Sequence, residues 1–335
     1  MPYSSFDSFD SFDFDLLVVG DANPDVVVGP LDAPLAFGQR EQLVATGLLT
    51  LGGSAAIMAC GAARLGLRVA FAGRVGDDDA GRFVRDALSA RGVDTGALRL
   101  DPTLPSPLTA VVTRGADRAI LTAPGTLADT GPDDVPEVLL TGSRHVHAAS
   151  YFLMPKLADA LPALFRTARV HGATTSLDTN DDPAGRWRSA GLTDLLAVTD
   201  ILLPNAREAL ALSGVVDAGH REGGSDADVV AAARELAAAG PLVVVKTGAD
   251  GALSHDGRTL RRAAPVPVEP RDTVGAGDSF DAGFVAATLS GLGASDALAF
   301  AAACGALSTR AHGGTGAQPT WDEAMAATTR NGKNQ

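Results

Sequence analysis

Short apolar runs alternate along this chain with longer stretches in which apolar residues return every three or four positions. Leu16-Leu17-Val18-Val19 and the runs at 69–72, 146–148, 175–178, 201–203 and 242–245 predict buried strands. Residues 54–65, 78–91, 156–171, 228–239, 277–290 and 296–309 carry the helical period. Strands that alternate with helices imply βαβ units and a mainly parallel sheet. Two regions break the rhythm: 25–28 with 42–51, and 108–114 with 119–122 joined by Gly115-Ala116-Asp117. They read as antiparallel strands of a small second sheet drawn from about 25–51 and 107–123. Their apolar residues lie on both faces, and one face of so small a sheet cannot be buried against its own domain. The other face must meet substrate, a partner subunit or water, and apolar patches facing water are disfavoured.

The ends differ from the middle. Residues 1–14 repeat Phe-Asp-Ser and predict a disordered acidic tail. A single α/β domain is expected over 15–325, with a flexible tail at 326–335 and a Gly-rich surface loop at 217–226. The formal net charge is −13, which argues against nucleic acid as a partner. No apolar run spans a membrane and no secretory leader is visible, so a cytoplasmic protein is expected. Cys60 and Cys304 stand far apart in Ala-rich stretches and read as reduced, buried thiols.

The most informative stretch is Asp272-Thr273-Val274-Gly275-Ala276-Gly277-Asp278-Ser279-Phe280. A Gly-Ala-Gly turn runs into a helix with Phe280, Phe284 and Ala287 on its apolar face. Glycines let the backbone aim its N–H groups at one point, and the helix end adds a positive pole. Such an anion hole has no use for an acid unless the acid takes a proton. Asp278 as general base, with the amides of Gly275, Ala276 and Gly277 holding a developing phosphoryl charge, accounts for both features. The plainer alternative is a first-turn acid favoured by the helix dipole. A similar turn, Leu51-Gly52-Gly53-Ser54, enters an earlier helix that Ser54 can cap. Asn205 and Glu208 share a face at a helix start. They suit a capping box, and also Mg²⁺ held partly through water.

In this order the elements resemble the ribokinase-like (PfkB) family of carbohydrate kinases. That family has an early double glycine, here Gly52-Gly53, and a late D-T-x-G-A-G-D, here residues 272–278. Asn205 and Glu208, the stretch Lys246-Thr247-Gly248-Ala249-Asp250-Gly251, and Gly316-Ala317-Gln318-Pro319-Thr320 follow its order. The resemblance covers residues 16–325. It implies a ribokinase-like fold, a main sheet flanked by helices with a small β-sheet lid that pairs with a second lid in a homodimer, and an ATP-dependent kinase acting on a sugar, sugar derivative or nucleoside. It implies that Asn23, Asp25, Gly52 and Gly53 meet the substrate. Lys246, Gly248, Gly251, Gly277 and Asn205 would border the ATP phosphates, and Asp178-Thr179-Asn180 would lie near the phosphate end of the cleft. Asp272 and Thr273 with Gly316 and Thr320 would hold a K⁺-like ion. Ile57 stands where the family often has a sugar-binding Asn; it either gives the substrate an apolar surface or packs the core.

Other readings have weaker support. Gly277-Asp278-Ser279 resembles an esterase motif, but His312 is the sole downstream histidine and no Asp-x-x-His follows. None of Lys156, Lys246 and Lys333 closes a phosphate-binding G-x-x-x-x-G-K loop. A non-catalytic sugar-binding protein would not need Asp278. His145 and His147 would point to one face of a strand; metal binding there lacks a third ligand, and a buried or cleft-lining role is preferred.

Overall fold

The computed structural model describes residues 12–114, 117–187, 190–215 and 224–331. Most of the acidic tail, the 115–116 turn, most of the Gly-rich loop and the last four residues lie outside this set. The main sheet has nine strands. Seven are parallel: β1 (Phe14–Val19), β4 (Val69–Gly76), β5 (Val93–Asp101), β8 (Ser143–Ala149), β9 (Thr174–Asp178), β10 (Ile201–Leu202) and β11 (Leu242–Lys246). β12 (Ala252–His255) and β13 (Leu260–Ala263) finish one edge as antiparallel strands. The order is β13-β12-β11-β10-β9-β8-β1-β4-β5.

Burial on both faces explains the unbroken apolar runs. Leu16 and Val18 of β1 pack into one helical layer, and Leu17 and Val19 into the other. The first layer holds α1 (Ser54–Arg64), α2 (Asp79–Ser89), α8 (Ala276–Leu289), α9 (Ala294–Ser308) and α10 (Trp321–Asn331). The second holds α3 (Glu137–Thr141), α4 (Pro155–Val170), α5 (Ala190–Leu196), α6 (Ala206–Ser213) and α7 (Asp226–Ala237). From β1 the chain first builds outward to β4 and β5, then returns to β8 and builds the other way. A crevice opens above the carboxyl ends of the strands at such a reversal. Asp21, Ser150, Asp178 and Lys246 all lie at or just past those ends.

The second sheet has the order β3-β2-β6-β7, from β2 (Asn23–Gly29), β3 (Thr46–Gly52), β6 (Leu108–Arg114) and β7 (Asp117–Ala123). Here the expectation of a wholly antiparallel sheet is corrected. β2–β3 and β6–β7 are antiparallel hairpins, but β2 and β6 pair in parallel, Asp25 opposite Thr109. The tail expected from residue 326 is corrected as well: α10 continues to Asn331. At the other end, β1 begins at Phe14, and the Asp13 amide donates to the Gly142 carbonyl at 2.9 Å.

Candidate active site

α8 begins where Gly275 adopts φ 72°, a left-handed conformation that suits glycine. A Cβ there would lie 2.6 Å from Gly314 Cα, so the turn also needs glycine for its packing. The Ala276 amide donates to the Thr273 carbonyl at 3.3 Å, and Gly275 at the cap position has no side chain to meet the amides that follow. Asp278 stands in that turn, buried. Burial pushes its pKa up to about 7, with help from the negative charge of Asp178 and against the pull of Lys246. Asn180 Nδ2 donates to Ser54 Oγ at 2.7 Å, which orients the Ser54 hydroxyl at the start of α1. Asn180 itself has φ 55°, and its amide donates to Asp178 Oδ1 at 3.1 Å. The Asp178-Thr179-Asn180 motif thus lies close to the starts of α1 and α8. The role of Ser54 was hidden: in the sequence it reads as a helix cap, whereas Gly53 holds the cap position.

The double glycine has a local structural cause. A Cβ on Gly52 would fall 2.0 Å from Asp25 Oδ1, and one on Gly53, φ 89°, would lie 2.7 Å from the Asp21 carbonyl. The Cβ position of both glycines is therefore taken by this chain's own atoms. Asp25, at the root of β2, accepts from Asn23 Nδ2 at 2.7 Å, and the same amide nitrogen donates to Thr109 Oγ1 at 3.1 Å. Burial raises the Asp25 carboxyl to about 6, though Asn23 opposes the shift. Asn23 and Asp25 are thus locked together where the lid joins the body. Ile57 is 3% exposed and lies against Gly275 and Gly314, where a Gly314 Cβ would be 2.5 Å from Ile57 Cδ1. It packs against the Gly275 turn, the arrangement of the core-packing alternative.

Beside the turn lies a cavity of about 540 Å³. Gly248, Gly251, Thr273 and Gly277 border it, and Val266, Val268 and Phe280 contribute apolar walls. Lys246 reaches the same cavity, but its ammonium is held by Asp178 at 2.6 Å and Asp281 at 3.0 Å. Burial disfavours its charge, yet the acids around it, Asp178 foremost, outweigh that and hold its pKa above the ordinary lysine value. The lysine is therefore an internal counter-ion first, a role legible only once residues 178, 246 and 281 are seen together.

Asn205 and Glu208 form the capping box of α6. Glu208 N donates to Asn205 Oδ1 at 2.9 Å, while Asn205 N and Nδ2 donate to the two Glu208 oxygens at 2.8 and 2.6 Å. Burial, then the charge of Asp178, raises Glu208 to about 7. With both oxygens engaged, the pair fits a divalent ion held through water and does not fit direct coordination. Asp272 ties two loops: Oδ1 accepts from Val274 N at 3.0 Å and Oδ2 from Gly313 N at 2.9 Å. The Thr320 hydroxyl and amide pair with Glu323 and cap α10. Gly316 lies in the same 313–316 loop, where a Cβ would stand 3.0 Å from the His312 carbonyl. His145 and His147 are buried and share Ser176 Oγ, each at 2.7 Å, and burial pushes them down to about 3 and about 4. They are neutral parts of the core.

Residues 13–321 match the model of the pfkB family carbohydrate kinase. The chain belongs to this family. An ATP-dependent ribose-1-phosphate kinase from Halopiger xanaduensis is 33% identical over 315 residues, 93% of this chain and 97% of that one. A 2-dehydro-3-deoxygluconokinase from Thermoproteus tenax is 32% identical, covering 81% of this chain and 83% of its own length. Among solved structures, Arabidopsis thaliana ribokinase complexed with ribose and ATP superposes with a TM-score of 0.78 at 23% identity, over 94% of this chain and 98% of that one. Adenosine kinase from Sinorhizobium meliloti gives 0.79 at 24% identity, over 95% and 99%. Those two likenesses establish the ribokinase-like fold, and the family match makes the protein a carbohydrate kinase. Among the described residues, no helix is long and apolar enough to cross a membrane.

Proposed function

We propose that this kinase transfers the γ-phosphoryl group of ATP to an alcohol group of a small sugar or sugar derivative, with Asp278 as general base. The observation that carries the reading is Asp278 itself: a buried carboxyl, raised to about 7, in the first turn of a helix whose cap residue, Gly275, has no side chain to meet the amides that follow. Its pKa near neutrality suits a group that must be ionised to accept a proton yet basic enough to take one. Ionised Asp278 removes the hydroxyl proton as that oxygen bonds to the γ-phosphorus; the bond to the β–γ bridging oxygen breaks and ADP leaves. The amides of Gly275, Ala276 and Gly277 face the charge that builds on the transferred group. Asn23 and Asp25 receive the substrate's other hydroxyls, with Gly52 and Gly53 shaping the backbone beside them.

The 540 Å³ cavity supports a nucleotide at Gly248, Gly251 and Gly277 with its base against the apolar wall. Lys246 contributes charge from beneath the turn. A Mg²⁺ ion reached through water from Asn205 and Glu208 would neutralise phosphate charge. A K⁺-like ion would stabilise the Asp272, Thr273 and Gly316 loops; equal rates in K⁺ and in a large organic cation would dismiss it. Homodimerisation through the lid is supported by Leu49, Ile120 and Leu121, each more than half exposed on β3 and β7. Light scattering that gives one chain mass at a fully active concentration would remove the dimer.

ADP release should be followed with pentoses, hexoses, sugar acids, sugar phosphates and nucleosides, the product then identified by mass. Sugar phosphates belong first: the Halopiger xanaduensis relative is named for one. Arg118 of the lid also reaches across to Thr273 Oγ1 at 3.4 Å, bringing positive charge to a cleft of acids. ADP release with a nucleoside alone moves the assignment to nucleoside kinase. Ester hydrolysis without ATP, or no turnover with any alcohol, overturns it.

A further inference from the structure

One turn beyond the base on α8 stands Asp281, which the mechanism above does not use. It is 1% exposed, and the ammonium of Lys246 lies 3.0 Å from its Oδ2. Oxygens of Asp178, Asp278 and Asp281 lie within 4.8 Å of one another, and Asp178 and Asp281 share the one ammonium. Three carboxyl groups held this close repel one another when charged, so they are not all ionised together.

The hydrogen-bond partners say which group carries a proton. Asp178 accepts from Lys246 Nζ at 2.6 Å and from the Asn180 amide at 3.1 Å, so its charge is well served. Asp281 Oδ1 is buried and has no partner among the described residues. An ionised Asp281 would leave a charged oxygen in the interior with no donor, the costliest arrangement available. We propose that Asp281 is a positioning residue that works as a neutral carboxylic acid, donating its one proton to Asp178 and leaving Lys246 a single ionised partner beneath the anion-hole turn.

The surrounding charges agree. Asp178 on β9 and Lys246 at the end of β11 face Asp281 directly, and Asp278 faces it along α8. Glu208 on α6 acts on the cluster through Lys246, and His147 on β8 feels Asp178 and Lys246 but is held neutral. Burial, then the negative charge of Asp178, keeps Asp281 well above the usual carboxylate range despite Lys246; Asp178 stays below that range because Lys246 and its donors outweigh burial. The consequence concerns the anion hole. Lys246 Nζ lies 3.5 Å from where a Gly277 Cβ would stand. The ammonium therefore underlies the turn, and the number of ionised acids around it sets the field there.

The proposal rests on the kinase reading, and its test separates the two. Asp281→Ala should lower kcat by about 10–100-fold, the cost of misplacing a reacting group, with little change in KM. Asp281→Asn, which keeps the shape and a donor, should recover most of that turnover and keep the acid limb of the pH–rate profile where the wild type has it. Infrared spectra at about pH 9, where Asp278 is ionised, should show a protonated-acid band that Asp281→Asn lacks. A limb moved to lower pH in Asp281→Asn, or the absence of that band from the wild type, would mean that Asp281 is a carboxylate and overturn the proposal. Either result leaves the role of Asp278 intact, whereas full activity in Asp278→Asn would defeat the kinase mechanism and leave the infrared result standing.

Discussion

Two neighbouring helices begin alike and end up with opposite uses. α1 starts after Gly53 at φ 89° and α8 after Gly275 at φ 72°, and the two pack side by side. At α1 the first two amides are filled from within: Ser54 N and Ala55 N donate to the Asp21 carboxyl at 3.1 and 3.0 Å. At α8 the cap residue, Gly275, has no side chain to answer the amides, and the acid that stands there, Asp278, belongs to the helix itself. A helix N-terminus attracts anions wherever it occurs. An internal carboxylate closes one end and completes a structural joint; the open end can receive a transferred phosphoryl group. The same glycine-turn-helix signal therefore means architecture in one place and chemistry in the other, and the difference is made by a residue 33 positions upstream of Ser54.

Substitutions at the two ends should separate these uses. The largest expected effect is on turnover at α8. Gly275→Ala forces a Cβ toward Gly314 and Ile57, displaces the amides, and should lower kcat by about 10²–10³-fold per folded molecule. Circular dichroism and active-site titration would correct for unfolded protein.

Next comes a gain in stability bought with activity. The folded pKa of Asp278 is raised from 3.8 to about 7, so its ionisation opposes folding above that range. The stability that its neutral form permits is fully present below about pH 4 and is lost as pH rises through about 7. Asp278→Asn should therefore be more stable than the wild type, by an amount that grows between those limits and levels off on the order of a few kcal/mol. Denaturant midpoints across pH would measure it, and an unchanged difference at every pH would contradict the burial argument.

At α1 the effect should be smaller and of the other kind. Asp21→Ala removes the acceptor for two helix amides and should cost about 0.5–2 kcal/mol of stability, with the acid limb of the rate profile left with Asp278. A collapse of turnover in a stably folded Asp21→Ala would break the distinction between the two ends.

Much of this was readable from the chain, for physical reasons that differ by element. Parallel strands buried on both faces leave unbroken apolar runs, so the main sheet and the helices around it stand out. The Gly275–Gly277 turn with Asp278 is legible because backbone geometry and chemistry both demand particular residues within a few positions. What escaped depends on partners far apart in sequence. Lys246 looks like a phosphate ligand until Asp178 and Asp281, 68 and 35 positions away, are seen to hold it. Ile57 looks like a lost sugar contact until Gly314 appears beneath it. The parallel pairing of β2 with β6 joins two hairpins that the sequence reads separately. The capping pair of Thr320 with Glu323 reads locally like any loop threonine.

The most direct test of the open helix end is the pH dependence of kcat/KM for the wild type and Asp278→Asn. The wild type should rise through a single ionisation near pH 7, the value that burial gives Asp278. Asp278→Asn should still bind ATP but lose about 10²–10⁴ in turnover, and what remains should no longer show that ionisation. Near-full turnover in Asp278→Asn, or the same acid limb persisting in it, would contradict the assignment of the base.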